Sequence, residues 1–527
     1  MERKHNLSKN IGKVSTGTFL SKITGLVRDI FLTHFLGATW VADSFGIAFV
    51  IPNMLRGLFG EGALAAAFIP SYTEISQNQS KHDAIKFGIN ILTILLVVLV
   101  LLVIIGILLA PLIISIIAPG LSAKATILAE KLTQILFPYL FLIGLTSIII
   151  SILNVHTIFF LPSLSPTMMN LGIIAPVFLY SLFSDSTLIQ KSYFFAGGVL
   201  FGGVLQLIAN SYLLGKVGFK FKLHINLKHP ELRSVWKRMI PGIIGLGIRE
   251  VNVVVDTLLA SLLAAGTIAA LQYGNRLMQL PLGVFGIAMG IAVLPLFSMH
   301  TANDDIKALK TSLTDSVNMI LLLMLPIIGL TLVLGKEIIT LIYLHGAFDE
   351  KALQMTYNAL AFYSLGLVSH SCVKIFANAF FALKNTKKPM LISGVAVISN
   401  IVFNLILMHY LGLRGLALAS SLAATIQACL LLIFLTKKIG KINFKLILTN
   451  FFKIGTMAIL VTLVSRIILK SNLFFPANGS WLLILIRLSA IFLIALSIYF
   501  VGIKLFKVKE ADKIYKILKQ KISQPNL

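Results

Sequence analysis

The chain has 527 residues, is 57% hydrophobic and only 12% charged, and carries a formal net charge of +26. A soluble protein of this length needs about a quarter of its residues charged to cover its surface, so the composition excludes a soluble globular protein and predicts an all-α integral membrane protein. The basic excess does not point to nucleic acid, because no basic run is interleaved with base-stacking aromatics and Lys and Arg fall in alternate short loops, the positive-inside pattern.

Windows of about 20 apolar residues predict about 14 transmembrane helices, at 11–36, 40–72, 87–117, 124–153, 159–183, 193–215, 236–263, 266–299, 312–343, 352–383, 389–411, 413–436, 446–469 and 480–505. The basic start MERKHNLSKNIGK runs into a long, polar-spotted segment without a clear small-residue cleavage site, and reads as a retained first helix rather than a removed signal peptide. The first two spans carry Lys22, Arg28, Asp29, Asp43, Arg56 and Glu61, and the eighth carries Arg276. An Arg or Asp at mid-bilayer costs about 2.5–3.5 kcal/mol, so these groups must face a wet interior or pair with one another.

Gly25, Gly37, Pro52, Gly57, Gly60 and Gly62 make the same two spans breakable, and interrupted helices at membrane depth are where transporters place substrate groups and hinges. Adjacent Arg28 and Asp29 either neutralise each other as an internal ion pair or share a ligand. Arg56 and Arg276 have no carboxylate at helical spacing apart from Glu61, five residues after Arg56. Arginine grips phosphate in bidentate fashion and keeps its charge at any relevant pH. Three arginines in one cavity therefore suit a phosphate or pyrophosphate better than a neutral sugar.

Further along, Arg249 and Glu250 are neighbours in the seventh span, and Lys374, Lys453, Arg466 and Arg487 can snorkel or pair. Asp256 is a lone carboxylate in VNVVVDTLLAS, while Asn400 and Asn404 form an i, i+4 amide pair in the eleventh span. With Ser420 these oxygens would suit a small hard cation; an interhelical hydrogen-bond cluster is the alternative. Cys372 and Cys429 lie in apolar surroundings and show no metal-ligand spacing. No P-loop, nucleophile elbow or metal motif occurs, which argues for a transporter rather than an enzyme and for an ion gradient or membrane potential rather than ATP.

Loop charge fixes orientation. With the N-terminus cytoplasmic, the basic segments 216–238, Lys384-Lys387-Lys388, Lys437-Lys438-Lys441-Lys445 and the tail from Lys504 to Lys521 share its side. Both termini are therefore expected in the cytoplasm, and KLFKVKEADKIYKILKQK reads as a short amphipathic helix on the anionic inner leaflet. Weak internal similarity divides the chain. Gly57-Leu-Phe-Gly60 before Pro70 resembles Gly283-Val-Phe-Gly286 before Pro295, Leu153-Asn154 resembles Leu383-Lys384-Asn385, and Gly202-Gly203-Val-Leu-Gln206 resembles Ala423-Ala424-Thr-Ile-Gln427. The expected organisation is an N-terminal lobe of six helices at 1–220 and a second at 221–440, related by a pseudo-two-fold axis along the membrane normal. A helix pair at 441–507 and a tail at 508–527 follow.

The blocks Ser21-Lys-Ile-Thr-Gly-Leu-Val-Arg-Asp29, Leu36-Gly-Ala38, Ala42-Asp43, Ile51-Pro-Asn53, Leu55-Arg56, Phe59-Gly-Glu-Gly-Ala63 and Ala67-Phe-Ile-Pro70 resemble the MurJ (MviN) family of lipid II flippases, as does Tyr273-Gly-Asn-Arg-Leu-Met-Gln-Leu-Pro281. The similarity extends over essentially the whole chain, and the family belongs to the multidrug/oligosaccharidyl-lipid/polysaccharide exporter superfamily. It implies a flippase that carries the undecaprenyl-pyrophosphate-linked peptidoglycan precursor from the inner to the outer leaflet by alternating access. Such a protein would be a multi-pass component of the cytoplasmic (inner) membrane, working as a monomer with lipid II and membrane lipids as its partners.

By the same resemblance Arg28, Asp29 and Arg276 form the cavity triad for the pyrophosphate headgroup, and Arg56 is a further essential arginine. Lys22, Asp43, Asn53 and Glu61 belong to the substrate-binding set. Asp256, Asn400, Asn404 and Ser420, with the Leu416 carbonyl, match a sodium site of some members, and the C-terminal helix pair would form a groove for the polyprenyl tail. Lys22 stands where some relatives have Arg, Val50 where some have Lys, and Asn275 and Gln279 where relatives often have acids. The two amides leave the surroundings of Arg276 more positive. Two other readings are an exporter of another polyprenyl-linked glycan or of drugs, and an integral-membrane enzyme acting on polyprenyl phosphates.

Overall fold

The computed structural model describes residues 2–57, 63–181, 187–220, 222–471, 481–508 and 510. Among these the regular structure is all helical. Glu61 and the expected amphipathic tail helix lie outside the described residues.

The chain divides into two compact units. One comprises Met1–Ala269 with His345–Phe348, the other Ala270–Leu344 with Asp349–Leu527. In the first, α1 (Glu2–Leu36), α2 (Trp40–Leu55), α3 (Ala63–Asn78), α4 (Lys81–Leu108) and α5 (Ala110–Ile117) are followed by α6 (Ala123–Leu136), α7 (Pro138–Val155), α8 (Phe160–Ser181), α9 (Leu188–Lys216) and α10 (Pro230–Ser261). From there α11 (Thr267–Pro281) leads through a π-helical turn at Leu282–Ile287 into α12 (Ala288–Ala302) and α13 (Ile306–Tyr343). The rest comprises α14 (Glu350–Ser364), α15 (Leu367–Ala382), α16 (Lys387–Leu411), α17 (Leu413–Ile439), α18 (Phe444–Lys470) and α19 (Trp481–Leu505).

Ten helices among the described residues are long and apolar enough to cross a membrane, and the pair α14–α15, bent by 44°, makes an eleventh. The other three expected spans, the first, second and seventh, are also helical. Charged side chains depress the hydropathy of the first and seventh, and the described helix of the second, Trp40–Leu55, is apolar but short. Several breaks have local causes: Pro138 opens α7, Pro230 opens α10, and Pro281 precedes the π turn. Proline fits a first helical turn but cannot donate to the ladder further in.

Within the first unit α8 packs on α1 and α9, α2 on α6, and α10 on α3. The α8–α9 pair is close because both faces are bare: a Cβ on Gly172 would collide with Gly202, and one on Gly202 with the Met169 backbone. Small residues let membrane helices approach in this way. An aromatic and aliphatic core including Phe68, Tyr72, Phe87, Leu99, Leu140 and Ile148 fills the space between α3, α4 and α7. Packing on α3 assigns α10 to the first unit, so the packing border falls at 269/270, whereas the repeat in the sequence draws its border at 220/221. In the second unit α16 packs on α17, and α18 packs on both α13 and α19. Glu510, just past α19, is buried and accepts from Asn318 Nδ2 of α13 at 2.9 Å and Asn450 Nδ2 of α18 at 3.4 Å.

Candidate functional site

The first constellation is built on α1. Arg28 and Asp29 are adjacent, and the structure forms the ion pair: Nη2 and Nε of Arg28 donate to Asp29 Oδ1 at 2.7 and 3.2 Å. The guanidinium also donates from Nη1 to Asn170 Oδ1 of α8 at 3.1 Å. Asn170, 5% exposed, uses its Nδ2 to reach back to Ser21 O and Thr24 Oγ1 of α1, at 3.2 and 3.1 Å. Its amide therefore clamps α8 to α1 and orients the guanidinium. Of the five N–H donors of an arginine, these contacts use three, which leaves two for an anion. The Arg28 side chain is only 15% exposed, and charge-assisted hydrogen bonds are stronger where bulk water is largely excluded. Asn170 escapes sequence reasoning because a single amide in PTMMNLGII carries no spacing; its only signal is that a polar side chain inside a span must find a partner.

The second constellation sits at the end of α2. Arg56 donates from Nε to Asn53 Oδ1 at 3.0 Å, a pairing at i, i+3 permitted by the turn that follows Pro52. A Cβ on Gly57 would lie 3.4 Å from Glu250 Oε1, so α10 brings a carboxylate to this end of α2. In sequence Glu250 is the neighbour of Arg249, whose side chain lies outside the described set.

Asp43 is only 3% exposed, and its carboxylate receives two backbone donors, Gly266 N at 2.5 Å and Ala269 N at 2.8 Å. It caps the start of α11, where the first N–H groups of a helix have no intrahelical acceptor. Around it three loops interlock backbone to backbone. Gly37, Gly266 and Gly346 all adopt left-handed φ, at 62°, 89° and 63°, and a Cβ on each would strike a carbonyl, of Ala347, Ala38 and His34 respectively. Lys22 is exposed on α1.

Arg276 belongs to the second unit and is exposed on α11. Next to it the Gln279 side-chain amide donates to Asn275 Oδ1, so positions 275 and 279 form a neutral amide pair. The proposed cation ligands fall in both units. In the second, Asn404 Nδ2 donates to Asn400 Oδ1 at 2.8 Å, Asn400 Nδ2 to Ser420 Oγ at 3.4 Å, and Ser420 Oγ to the Leu416 carbonyl at 3.4 Å. In the first, Asp256 Oδ2 accepts from Asn252 Nδ2 at 3.0 Å.

The family model "Lipid II flippase MurJ" matches residues 32–490. The chain belongs to the lipid II flippase MurJ family. It is 33% identical over 519 residues to "Probable lipid II flippase MurJ" of Buchnera aphidicola subsp. Schizaphis graminum, covering 97% of this chain and 99% of that relative. It is 31% identical over 441 residues to "Lipid II flippase MurJ" of Burkholderia cenocepacia, covering 82% and 84%. The solved structure "Lipid II flippase MurJ, inward closed conformation" superimposes with a TM-score of 0.77 at 29% identity, covering 94% of this chain and 98% of that one. An inward-facing MATE family multidrug transporter of the MOP superfamily superimposes at 0.67 with 15% identity, a likeness of fold alone. This MurJ family chain therefore shares its architecture with the exporters and its sequence with the flippases.

Proposed function

We propose that this chain moves lipid II, the polyprenyl-diphosphate-linked peptidoglycan precursor, from the inner to the outer leaflet of the cytoplasmic membrane by alternating access. Family membership over nearly the full length supports this reading. The observation that carries it is the Arg28 guanidinium, held by Asp29 and Asn170 inside the helix packing with N–H donors to spare. A transport site needs an anchor for the diphosphate that does not reorganise as the headgroup replaces water. Arg28 and Arg56 supply fixed positive charge in the first unit, as Arg276 does in the second, and Asp29 keeps Arg28 from binding the diphosphate too tightly to release it. The chain is read as a non-enzymatic monomer with both termini in the cytoplasm, holding the polyprenyl tail against α18 and α19.

The oxygens of Asn400, Asn404 and Ser420 in the second unit, and the Asp256 carboxylate in the first, are hard donors of the kind that suit a monovalent cation better than a transition metal. Bound there, Na+ would supply positive charge whose entry and exit follow the ion gradient. The Asn and Ser side chains already contact one another and would turn their oxygens toward the ion.

The test is growth support in cells depleted of their own flippase, together with lipid II translocation in proteoliposomes. The wild-type chain should restore both. Arg28→Ala and Arg276→Ala should insert normally and restore neither. Normal translocation by both variants would remove the guanidinium anchor from the mechanism.

A further inference from the structure

The segment between α9 and α10 has a structure that the transport reading does not use. It is pinned at both ends: Phe219 is buried against Tyr72, with ring centroids 6.5 Å apart, and the His229 ring lies 5.0 Å from that of Phe87. Between these anchors it runs along α4. Asn226 N donates to Asn90 Oδ1 at 2.6 Å, Asn90 Nδ2 donates to Asn226 O at 3.0 Å, and His224 N donates to Thr93 Oγ1 at 3.3 Å.

The helical position of those partners is informative. Asn90 and Thr93 share a stripe of α4 with Val97, Leu101, Ile104 and Leu108, at steps of three, four and seven. The four apolar members are 41–72% exposed, the lipid-facing side of the helix, whereas Asn90 and Thr93 are each 1% exposed. A bare Asn side chain on a lipid-facing stripe would lack partners; the segment supplies them and covers the end of the stripe. Its outer side then continues the stripe. Leu223, Ile225 and Leu227 are 70%, 56% and 69% exposed, at alternate positions. Lys216, Lys220, Lys222 and Lys228 are exposed around them, and no Asp or Glu occurs between Asp185 and Glu231.

We propose that residues 222–228 are an interfacial strap that seats the first unit on an anionic lipid surface. Leu223, Ile225 and Leu227 enter the boundary between headgroups and acyl chains, and the lysines pair with lipid phosphates. The occupant is lipid because the strap extends a surface that already faces lipid. Three aliphatic side chains ringed by cations match the chemistry of an amphipathic interfacial anchor, and each lysine near an anionic surface adds about a fivefold preference.

The test uses the full chain in nanodiscs, with Cys372 and Cys429 replaced by Ala and one nitroxide at a time on Leu223→Cys, Ile225→Cys or Leu227→Cys. A label on Asp304→Cys, in the turn between α12 and α13, provides the aqueous reference. In discs containing phosphatidylglycerol the three strap labels should collide with oxygen several-fold more, relative to a water-soluble nickel chelate, than the reference does. Lys220→Gln, Lys222→Gln and Lys228→Gln together, or discs of phosphatidylcholine alone, should shift that ratio toward the aqueous value. Strap labels as water-accessible as Asp304→Cys would overturn the proposal, and labels shielded from both reagents would place protein rather than lipid on the strap. A ratio indifferent to lipid charge and to the lysines would overturn the electrostatic half.

Discussion

Adjacency in sequence left two readings of Arg28–Asp29, a self-neutralised pair or a ligand anchor; the structure forms the pair, and the proposed anchor role rests on the guanidinium donors that the pair leaves over. Asp29 engages one edge of the guanidinium and Asn170 another group, so the arginine is oriented rather than silenced. Arg28→Lys, which keeps the charge but loses the fork, should lower lipid II translocation by an order of magnitude at unchanged protein level. Asn170→Ala removes a bond to a charged group worth about 1.5–3 kcal/mol, and should reduce translocation in the parent while costing little more in the Arg28→Lys background, where the fork it orients is already gone. Additive losses in that double-variant assay would mean that Asn170 does not act through Arg28. Asp43 has a different task in the same region. Asp43→Ala strands two buried N–H groups at about 1–3 kcal/mol each, so its first effect should be a lower Tm in detergent, with Asp43→Asn falling between it and the parent.

Among the helices, charge and weak hydropathy coincide. The first and seventh spans, which carry many ions, are not apolar enough to be recognised as spans, whereas Trp40–Leu55 of the second is apolar but short. The polar groups that weaken the membrane signal are the groups the transport reading needs. Close approach of α8 to α9 is a precondition for Asn170 to reach α1, since α8 is clasped between them. Gly202→Leu should therefore force the pair apart at about 1–3 kcal/mol or more, measurable as lower thermal stability and poor yield of folded protein. Glu510 secures the C-terminal pair from beyond it. Glu510→Ala leaves the Asn318 and Asn450 amides facing a gap, and accelerated proteolysis after α19, with the rest of the chain intact, is the expected result.

Across the whole molecule, loop charge leads us to propose cytoplasmic termini, with the lysines of the strap between α9 and α10 on the same side. Cysteine labelling from outside intact cells should reach positions around Lys351 and Arg414 and leave 216–238 and the C-terminus unmodified; the reverse pattern would invert the topology. If a cation resets the cycle, translocation in proteoliposomes should respond to a Na+ gradient at fixed membrane potential and lose that response in Asp256→Ala. Indifference of the wild-type chain to Na+ would remove that site from the mechanism.

Membrane residence, all-helical class and family were legible in the chain itself, because bilayer thickness and the cost of bare backbone in lipid leave one architecture for so apolar a sequence. The candidate site was legible only as residue type and resemblance: Arg28, Asp29, Arg56 and Arg276 stand out because charge is rare in a span. Their partners did not, since Asn170 lies on another helix, and an amide acquires meaning only from what packs opposite it. The same holds for Asp43, whose ligands are backbone N–H groups that have no sequence signature, and for Asn90, which satisfies a strap far along the chain. One-dimensional pattern records what each side chain costs in lipid; which neighbour meets that cost is settled by helix packing.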